Sequence, residues 1–277
     1  MVVTRSAVFL AALFVSGFAQ AINEAKVTPS APSLPKVLII GDSISIGYTD
    51  AVRLRLEHEA DVQRIPSNGQ STDFGLENID AWLGDQNWDV IHFNWGIWDT
   101  HIIEGKRIRN TTKVYDVNLR KLVERLKATG ATLVWASTTP VTFDLFENGL
   151  GVEKKNIPIY NNAAKSVMDK FRIPIDDLYS RVLPRLLELQ TRDGVHFTPA
   201  GSEFLAGSVA ESIRQALAVR KEARVDAIAN PTQPHTPSLA TQVTLEQLKG
   251  AAQITLPSLE TYTLVVLELA PARRGAG

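Results

Sequence analysis

The stretch Lys36-Val37-Leu38-Ile39-Ile40-Gly41-Asp42-Ser43 decides the fold. Residues 36–40 form a short, continuous apolar run, which is typical of a strand covered on both faces. Gly41 and Asp42 then predict a turn that presents Ser43 at the carboxyl edge of the sheet, close to the start of a helix. The stretch therefore indicates a buried parallel strand that ends in a chemically useful side chain.

Outward from this stretch, apolar runs alternate with helix-like periodicity over residues 36–220. The pattern predicts further strands over residues 61–65, 90–95, 131–137 and 174–175. It predicts helices over residues 51–60, 74–83, 114–129, 159–171, 179–189 and 199–220, and a long loop over 141–158. Such alternation favours an open parallel sheet with helices on both faces, and in these sheets ligands bind at the carboxyl ends of the strands.

The two ends of the chain do not follow this pattern. Residues 1–21 have a positive start, an apolar centre and a small-x-small end at Ala19-Gln20-Ala21, which predicts a secretory signal peptide. We therefore expect a secreted or periplasmic protein, cleaved near Ala21, with no transmembrane span in the mature chain. Residues 22–35 suit a linker. Residues 221–277 are predicted to be a small C-terminal extension, irregular or β-rich, with a strand-like run over 261–269 and a hairpin as one possibility within 242–269.

The composition excludes several classes of chemistry. The 277 residues contain no Cys, which excludes disulfides, zinc–thiolate sites, iron–sulfur clusters and a Cys nucleophile. The 29 basic and 30 acidic residues give a formal net charge of −1, so there is no general electrostatic reason to bind nucleic acid or an anionic membrane. No cofactor and no metal are predicted, because no spaced set of three ligands accompanies His92, Asp99 and His101. The sequence makes no prediction of oligomeric state.

Asp193-Gly194-Val195-His196 lies in a predicted loop directly before the last helix. Asp193 and His196 are three residues apart, so one loop can turn both side chains towards the same point. A neutral His196 can take the proton of Ser43, and Asp193 can orient the ring and stabilise the imidazolium. The plainer alternative is that Asp42 and Ser43 cap a helix and that Asp193 is a turn residue.

Taken together, these segments resemble the SGNH/GDSL family of serine hydrolases. Gly41-Asp42-Ser43-Ile44 resembles the first family block, with Ile where many members have Leu, and Asp193 and His196 match the last block. Gly69, in Ser67-Asn68-Gly69-Gln70, matches the glycine block between them. The resemblance implies a flavodoxin-like three-layer α/β/α sandwich and a metal-free Ser-His-Asp ester hydrolase. It also implies an oxyanion hole that includes the backbone N–H groups of Ser43 and Gly69.

One block departs from the family pattern. Many members carry Gly-x-Asn-Asp after the third strand, and that Asn donates to the oxyanion. In this chain, alignment on Gly96 and Asp99 places Trp98 at the Asn position, and the nearby Asn94 precedes Gly96 by two residues. We favour Asn94 as the oxyanion donor because an amide is the better donor. The alternatives are that Trp98 contributes its indole N–H, or that Asn94 only satisfies backbone groups.

Several other side chains are candidates for substrate contact. We expect Asp42, Trp95 and Trp98 to bind substrate. For the two tryptophans the reason is that aromatic rings stack on sugars and that four of them, Trp88, Trp95, Trp98 and Trp135, cluster near two strands. Plain core packing is the alternative for these rings. Asp144, Phe146 and Glu147 are candidates only because the loop that carries them follows a strand at the same edge.

The leading prediction is an exported serine esterase that hydrolyses small acyl esters, with acetyl on a carbohydrate preferred. The expected partner is a small-molecule or polysaccharide ester. One alternative is an acyltransferase that uses the same residues and a sugar hydroxyl in place of water. Another is a non-catalytic carbohydrate-binding protein with this fold, which the Trp at the Asn position favours. A lipase for long acyl chains is less favoured because the sequence shows no long apolar lid.

Overall fold

The computed structural model describes residues 33–104, 107–147, 150–229, 246–248 and 251–253. The predicted signal peptide, residues 22–32 of the predicted linker and the strand-like run over 261–269 lie outside the described residues. The described chain divides into two compact units, of which the first ends at Arg220 and the second begins at Lys221.

The strands are β1 (Lys36–Ile40), β2 (Asp61–Arg64), β3 (Val90–Phe93), β4 (His101–Ile103), β5 (Arg107–Ile108), β6 (Thr132–Ala136), β7 (Leu145–Glu147), β8 (Leu150–Val152), β9 (Ile175–Asp176), β10 (Glu246–Leu248) and β11 (Ala251–Gln253). The helices are α1 (Ser43–Arg55), α2 (Thr72–Leu83), α3 (Thr112–Lys127), α4 (Asn156–Phe171), α5 (Leu178–Val182), α6 (Leu186–Leu189) and α7 (Pro199–Ala229).

The central sheet has the strand order β2-β1-β3-β6-β9, and every pair in it is parallel. The chain crosses outwards from β1 to β2 and then returns to the other side of β1, so the order reverses between β1 and β3. In open α/β sheets a crevice for ligands opens at such a reversal, outside the carboxyl ends of the strands. Ser43 follows β1 and Asn94 follows β3, so both residues lie at this point.

Helices cover both faces of the sheet, as the continuous apolar strands require. Alternate residues of β1 enter opposite cores: Leu38 and Ile40 pack with α2, α3 and α4, whereas Val37 and Ile39 pack with α1 and α7. The predicted α/β/α sandwich with a parallel sheet is confirmed.

The first helix begins earlier than the sequence pattern predicts. The prediction placed a helix over residues 51–60, but α1 begins at Ser43, directly after the turn. Asp42 is its N-cap and accepts a hydrogen bond from the backbone N–H of Ile44 at 2.9 Å. The buried face of α1 includes Ser45 and Thr49 as well as Tyr48, so its apolar periodicity is weak and hides the first turns.

The long loop predicted over residues 141–158 contains regular structure. Strands β7 and β8 pair antiparallel within it, and β8 also pairs with β4, which gives a four-stranded sheet in the order β5-β4-β8-β7. Two insertions, one after β3 and one after β6, therefore form this sheet together. The pairing of β4 with β8 joins segments that lie far apart in the sequence, so the local pattern of either insertion does not predict it.

The remaining differences concern the last third of the chain. Pro184 interrupts the helix predicted over 179–189, which becomes α5, a 3₁₀ turn over Leu183–Arg185, and α6. Helix α7 continues to Ala229, beyond the predicted end at 220. In the second unit, β10 and β11 form an antiparallel pair.

Among the described residues, no helix is both long and apolar enough to cross a membrane.

Candidate active site

Ser43 is the first residue of α1 and follows the carboxyl end of β1. The first backbone N–H groups of a helix have no partner within the helix, so the N–H of Ser43 is directed outwards next to its own hydroxyl. The Asp42 carboxylate caps the same turn through Ile44, and the Ser45 hydroxyl donates to the Asp42 carbonyl at 2.7 Å. The turn is therefore fixed by its own polar groups.

The second part of the site is the segment between α6 and α7. Asp193 Oδ1 accepts hydrogen bonds from the backbone N–H groups of Val195 and His196, both at 2.9 Å, and from the Thr191 hydroxyl at 2.6 Å. Gly194 has a φ of +74°, a backbone conformation that favours glycine. These contacts fold the segment into a tight turn, as the spacing of Asp193 and His196 predicts.

The structure brings the two parts together in one hydrogen-bonded chain. His196 Nε2 lies 2.9 Å from Ser43 Oγ, and His196 Nδ1 lies 2.7 Å from Asp193 Oδ2. The side chains of His196 and Asp193 are about half exposed, at 48% and 51%. A hydroxyl, an imidazole and a carboxylate in this order, open to solvent, can activate the hydroxyl as a nucleophile.

Two carboxylates near Ser43 differ in their electrostatics. Partial burial alone would raise the pKa of Asp193, but the hydrogen bonds from Thr191, Val195 and His196 outweigh it and hold the pKa well below its usual range. Burial raises the pKa of Asp42, although Ile44 N–H and the charges of His196 and Arg64 oppose the rise. Asp193 is thus the carboxylate that stays ionised beside the imidazole.

Arg64, at the end of β2, is a residue of the site that the sequence pattern does not predict. Its guanidinium donates to the Gly41 carbonyl at 2.9 Å and to the Asp42 carbonyl at 3.3 Å. The remaining N–H groups reach the Ser45 hydroxyl at 3.0 Å and the carbonyls of Ile65 and Ser67 at 2.7 and 3.1 Å. All five donors of the side chain are used, and two of them hold the turn that carries the nucleophile.

The glycine block occupies the predicted place but makes a different contact. The N–H of Gly69 donates to the Gly41 carbonyl at 2.9 Å, so it is not a free oxyanion donor in this structure, which corrects the expectation from the resemblance. A Cβ at this position would lie 2.8 Å from the same carbonyl. The close approach of two backbones therefore accounts for glycine here.

The amide of Asn94 is also engaged. Its Nδ2 donates to the Ala136 carbonyl at 2.8 Å and to the Thr138 hydroxyl at 3.1 Å, and these two bonds use both amide hydrogens. The expectation that Asn94 donates to the oxyanion is therefore not supported by this geometry. Asn94 instead joins the ends of β3 and β6, as its alternative interpretation holds.

Two of the three candidate substrate contacts are buried. Trp95 is completely buried and donates through its indole N–H to the Gly69 carbonyl at 3.2 Å, so the expectation that it contacts substrate is wrong. Asp42 is 4% exposed and acts as the helix cap, which corrects the same expectation for it. Both residues therefore stabilise the segments around the site through their own hydrogen bonds.

Trp98 is the candidate that remains partly exposed. Its ring stacks on His101 with a centroid distance of 5.0 Å, and the Arg109 guanidinium lies 5.8 Å from its centroid. Trp98 also packs against the small core that includes Ile97, and so does Val195, which precedes His196. Burial and the charge of Arg109 lower the pKa of His101 to about 4, so this stack contains a neutral imidazole at neutral pH.

Asp99 anchors the block that departs from the family pattern. Its carboxylate accepts from the Thr72 N–H at 3.1 Å, from the Thr72 hydroxyl at 2.5 Å and from the Asn110 amide at 2.7 Å, and burial raises its pKa to about 6. It thereby ties the segment after β3 to the start of α2. In the described part of the chain, no group of three or more His, Asp or Glu side chains could hold a metal ion.

Phe143 is an exposed aromatic residue in the predicted loop that also contains Asp144, Phe146 and Glu147, and the sequence pattern does not single it out. It is 45% exposed, and a Cβ on Gly194 would lie 2.8 Å from its ring. The neighbouring Thr142 N–H donates to the Gly194 carbonyl at 3.0 Å. Asp144 accepts a bond from Lys154 N–H at 2.7 Å and so holds its own loop instead.

Comparison with solved structures identifies several proteins of the same fold. An acetyl xylan esterase named AlAXEase matches with a TM-score of 0.54 and 17% identity over 64% of this chain and 99% of its own. The lipase/acylhydrolase from Enterococcus faecalis matches with a TM-score of 0.56 and 20% identity over 66% and 96%. Axe2, an acetylxylan esterase from Geobacillus stearothermophilus, matches with a TM-score of 0.52 and 17% identity over 65% and 94%.

Comparison with curated proteins gives no match. The sequence profile of the GDSL-like lipase/acylhydrolase family matches residues 39–204, which is more than half of the chain and includes Ser43, Asp193 and His196. The predicted family is therefore confirmed, and the chain belongs to the GDSL-like lipase/acylhydrolase family.

Proposed function

We propose that the protein is an exported serine esterase that removes small acyl groups, acetyl in particular, from carbohydrate esters. The hydrogen-bonded chain from Asp193 through His196 to Ser43 is the observation that carries the proposal. Ester hydrolysis by a serine needs a nucleophile, a base and an orienting acid, and these three side chains have that order and spacing.

In the proposed mechanism, His196 Nε2 takes the proton of Ser43 as Oγ attacks the ester carbonyl carbon. The Ser43 N–H, at the positive end of α1, donates to the oxyanion. When the intermediate collapses, the C–O bond to the alcohol breaks and the alcohol takes the proton from His196. Water then attacks the acyl-serine with His196 again as the base, and the acid and free Ser43 are released.

A small space next to Asp42 and Ile44, the two residues that flank the nucleophile, supports a small acyl group. A cavity of about 20 Å³ lies at the carboxyl ends of β1, β3 and β6, with Ile44, Asn94 and Ile97 among its lining residues. That volume is of the order of one water molecule. The methyl group of an acetyl ester is of similar size, whereas a long acyl chain requires a continuous channel.

Three observations support a carbohydrate substrate outside the cytoplasm. Residues 1–21 have the features of a signal peptide. Phe143 presents an exposed ring beside Gly194, where a sugar can stack on it. Two of the solved structures with this fold carry the names of acetyl xylan esterases.

The central experiment compares wild type, Ser43→Ala and His196→Ala on p-nitrophenyl acetate, butyrate and octanoate and on acetylated xylan. We expect each variant to lose on the order of 10⁴-fold in kcat with the fold retained, and wild type to prefer acetate. Ser67→Ala is the matched control, because only the backbone carbonyl of Ser67 contacts Arg64. Undiminished turnover by Ser43→Ala would remove Ser43 from the mechanism.

Two further measurements address the alternatives. A fluorophosphonate probe should label wild type at Ser43, and absence of labelling would favour the non-catalytic carbohydrate-binding protein. Product analysis with added acceptor sugars should show free acetate, and acetylated acceptor as the main product would favour the acyltransferase. For export, the protein recovered from the periplasm or medium of its host should begin at Ile22.

A further inference from the structure

A second cavity lies at the same edge of the central sheet, away from Ser43. Its volume is about 430 Å³, and it opens between α4 and the β9–α5 turn. Its lining residues include Trp135, Ser137, Asn161, Asn162, Asp177 and Tyr179, and this set is called the α4 groove below. Such a volume falls within the range of small-molecule sites.

A buried donor in the wall of the α4 groove lacks an acceptor. Trp135 is 1% exposed, and its indole N–H has no hydrogen-bond partner among the described residues. An unsatisfied buried donor costs about 1–3 kcal/mol, so it requires a compensating ligand or another cause. By contrast, the buried indoles of Trp88 and Trp95 donate to the carbonyls of Leu83 and Gly69.

The other polar groups of the α4 groove define the chemistry of a ligand. Asp177 accepts from the Ser137 hydroxyl at 2.9 Å and from Ser180 N–H at 3.2 Å, which leaves a carboxylate with acceptor capacity. Asn162 is exposed, and its amide makes no hydrogen bond within the described chain. The charge of Lys165 is paired with Asp169 at 2.7 Å.

These groups select a ligand that both donates and accepts. The Trp135 N–H lacks an acceptor, the Asp177 carboxylate can accept a further hydrogen bond and repels anions, and the Asn162 amide offers both a donor and an acceptor. A hydroxyl group both donates and accepts, so a ligand that carries several hydroxyls suits groups of both kinds. The Asp177 carboxylate would repel a phosphate or carboxylate ligand, and an aliphatic ligand would leave the indole N–H unsatisfied.

The α4 groove is connected to the catalytic edge. Asn161 accepts from Thr138 N–H at 2.9 Å and donates to the Thr138 carbonyl at 2.8 Å, and the Thr138 hydroxyl in turn accepts from Asn94. Ser137 lines both this groove and the small cavity beside the nucleophile turn. Three strand spacings separate β9 from β1, which is about 14 Å, a distance that an oligosaccharide can span.

We propose that the α4 groove is a second binding site that takes neutral sugar residues of the glycan whose ester lies at Ser43. The link to catalysis rests on the proposed function, whereas sugar binding by the groove does not. Binding is therefore measured with sugars that carry no ester, so that a failure of this proposal is distinguishable from a failure of the esterase activity.

The test is an NMR titration of the full chain with ¹⁵N-labelled tryptophan, using xylotetraose, cellotetraose, galactotetraose and, separately, glycerol. The spectrum of Trp135→Phe identifies the Trp135 indole resonance. We expect at least one tetrasaccharide to shift that resonance saturably, with the resonances of Trp88 and Trp95 unchanged. The absence of a saturable shift with all three sugars, or equal affinity for glycerol, would overturn the proposal.

Two variants on α4 make the test specific. Asn162→Ala should weaken the tetrasaccharide about tenfold, which corresponds to the loss of one hydrogen bond to the ligand, while kcat/KM on p-nitrophenyl acetate is unchanged. Ser166→Ala, on the exposed part of the same helix and outside the groove, should bind as wild type does. Equal affinity in Asn162→Ala and Ser166→Ala would contradict the proposed site.

Discussion

Arg64 Nη2 donates to the carbonyl of Gly41 at 2.9 Å, two residues before the nucleophile. The same carbonyl accepts from the N–H of Gly69, so groups from the end of β2 and from the segment after it meet at the β1–α1 turn. Because the position of Ser43 depends on this turn, Arg64 is a positioning residue that acts through the backbone.

We expect Arg64→Lys to lower kcat on p-nitrophenyl acetate about tenfold to a hundredfold, with KM little changed. A lysine ammonium has three donors in place of five and cannot span Gly41, Asp42 and Ser45 together, so the nucleophile is misplaced. Unsatisfied carbonyls should also lower the free energy of unfolding by about 1–3 kcal/mol.

Steady-state kinetics and urea unfolding check both effects of Arg64→Lys. The control is Arg53→Lys, because Arg53 contacts the Val62 carbonyl and the exposed Asp50 but not the nucleophile turn. Identical kcat in the Arg64 variant, the Arg53 variant and wild type would show that the turn holds its geometry without the guanidinium.

Asp193→Asn should lower kcat by about 10²- to 10⁴-fold without unfolding the protein. The amide can still accept from the N–H groups of Val195 and His196, but it no longer stabilises the imidazolium. Since hydrogen bonds hold the pKa of Asp193 well below its usual range, this carboxylate should stay ionised down to pH 4, and the acid limb of kcat/KM in wild type should not exceed a slope of one above that pH. A limb of slope two would mean that the carboxylate titrates as well.

Asn94→Ala should affect stability more than the chemical step. The variant leaves the buried Ala136 carbonyl without the amide donor, which should cost about 1–3 kcal/mol in the free energy of unfolding, while kcat falls less than tenfold. Kinetics at a temperature well below the transition separate the two effects. A loss of 10²-fold or more in kcat with unchanged stability would assign the amide to the oxyanion instead.

The sequence predicted the parts of the site that depend on local pattern. The apolar run before Gly41 locates the carboxyl edge of the sheet, and the spacing of Asp193 and His196 permits one loop to orient both. Arg64 was not predicted because four of its acceptors are backbone carbonyls from separate segments, and every residue type has a backbone carbonyl. The prediction for Trp95 is wrong because the run 90–95 has no polar alternation to separate a buried ring from an exposed one, and Trp95 lies two residues after the end of β3.

The pairing of Asn94 could not be predicted for a related reason. Its two acceptors, Ala136 and Thr138, lie more than 40 residues away and become neighbours only when β3 and β6 pair. The early start of α1 is the opposite case, because the cap by Asp42 is local. The cap was recognised as an alternative role of Asp42 and Ser43, but the buried Ser45 and Thr49 weaken the apolar period, so the periodicity predicts the helix only from residue 51.

His101, which stacks on Trp98, makes the stability of the fold depend on pH. Burial and Arg109 lower the pKa of His101 from 6.5 to about 4, so the unfolded chain binds a proton more readily between these values. This contribution to stability is complete above pH 6.5 and is lost as the pH falls towards 4. His101→Phe retains an aromatic ring for the stack but has no imidazole to titrate, so its free energy of unfolding does not fall with pH for this reason.

We therefore expect the free energy of unfolding of His101→Phe, relative to wild type, to rise by about 2 kcal/mol between pH 7.5 and pH 4.5. Asp99 has a pKa of about 6 and titrates in the same range, but in the opposite sense, because its raised pKa makes the folded state the better proton binder. Both proteins contain Asp99, so its contribution cancels in the difference. Urea unfolding at four pH values provides the measurement, and parallel curves for the two proteins would show that His101 is not held neutral by its surroundings.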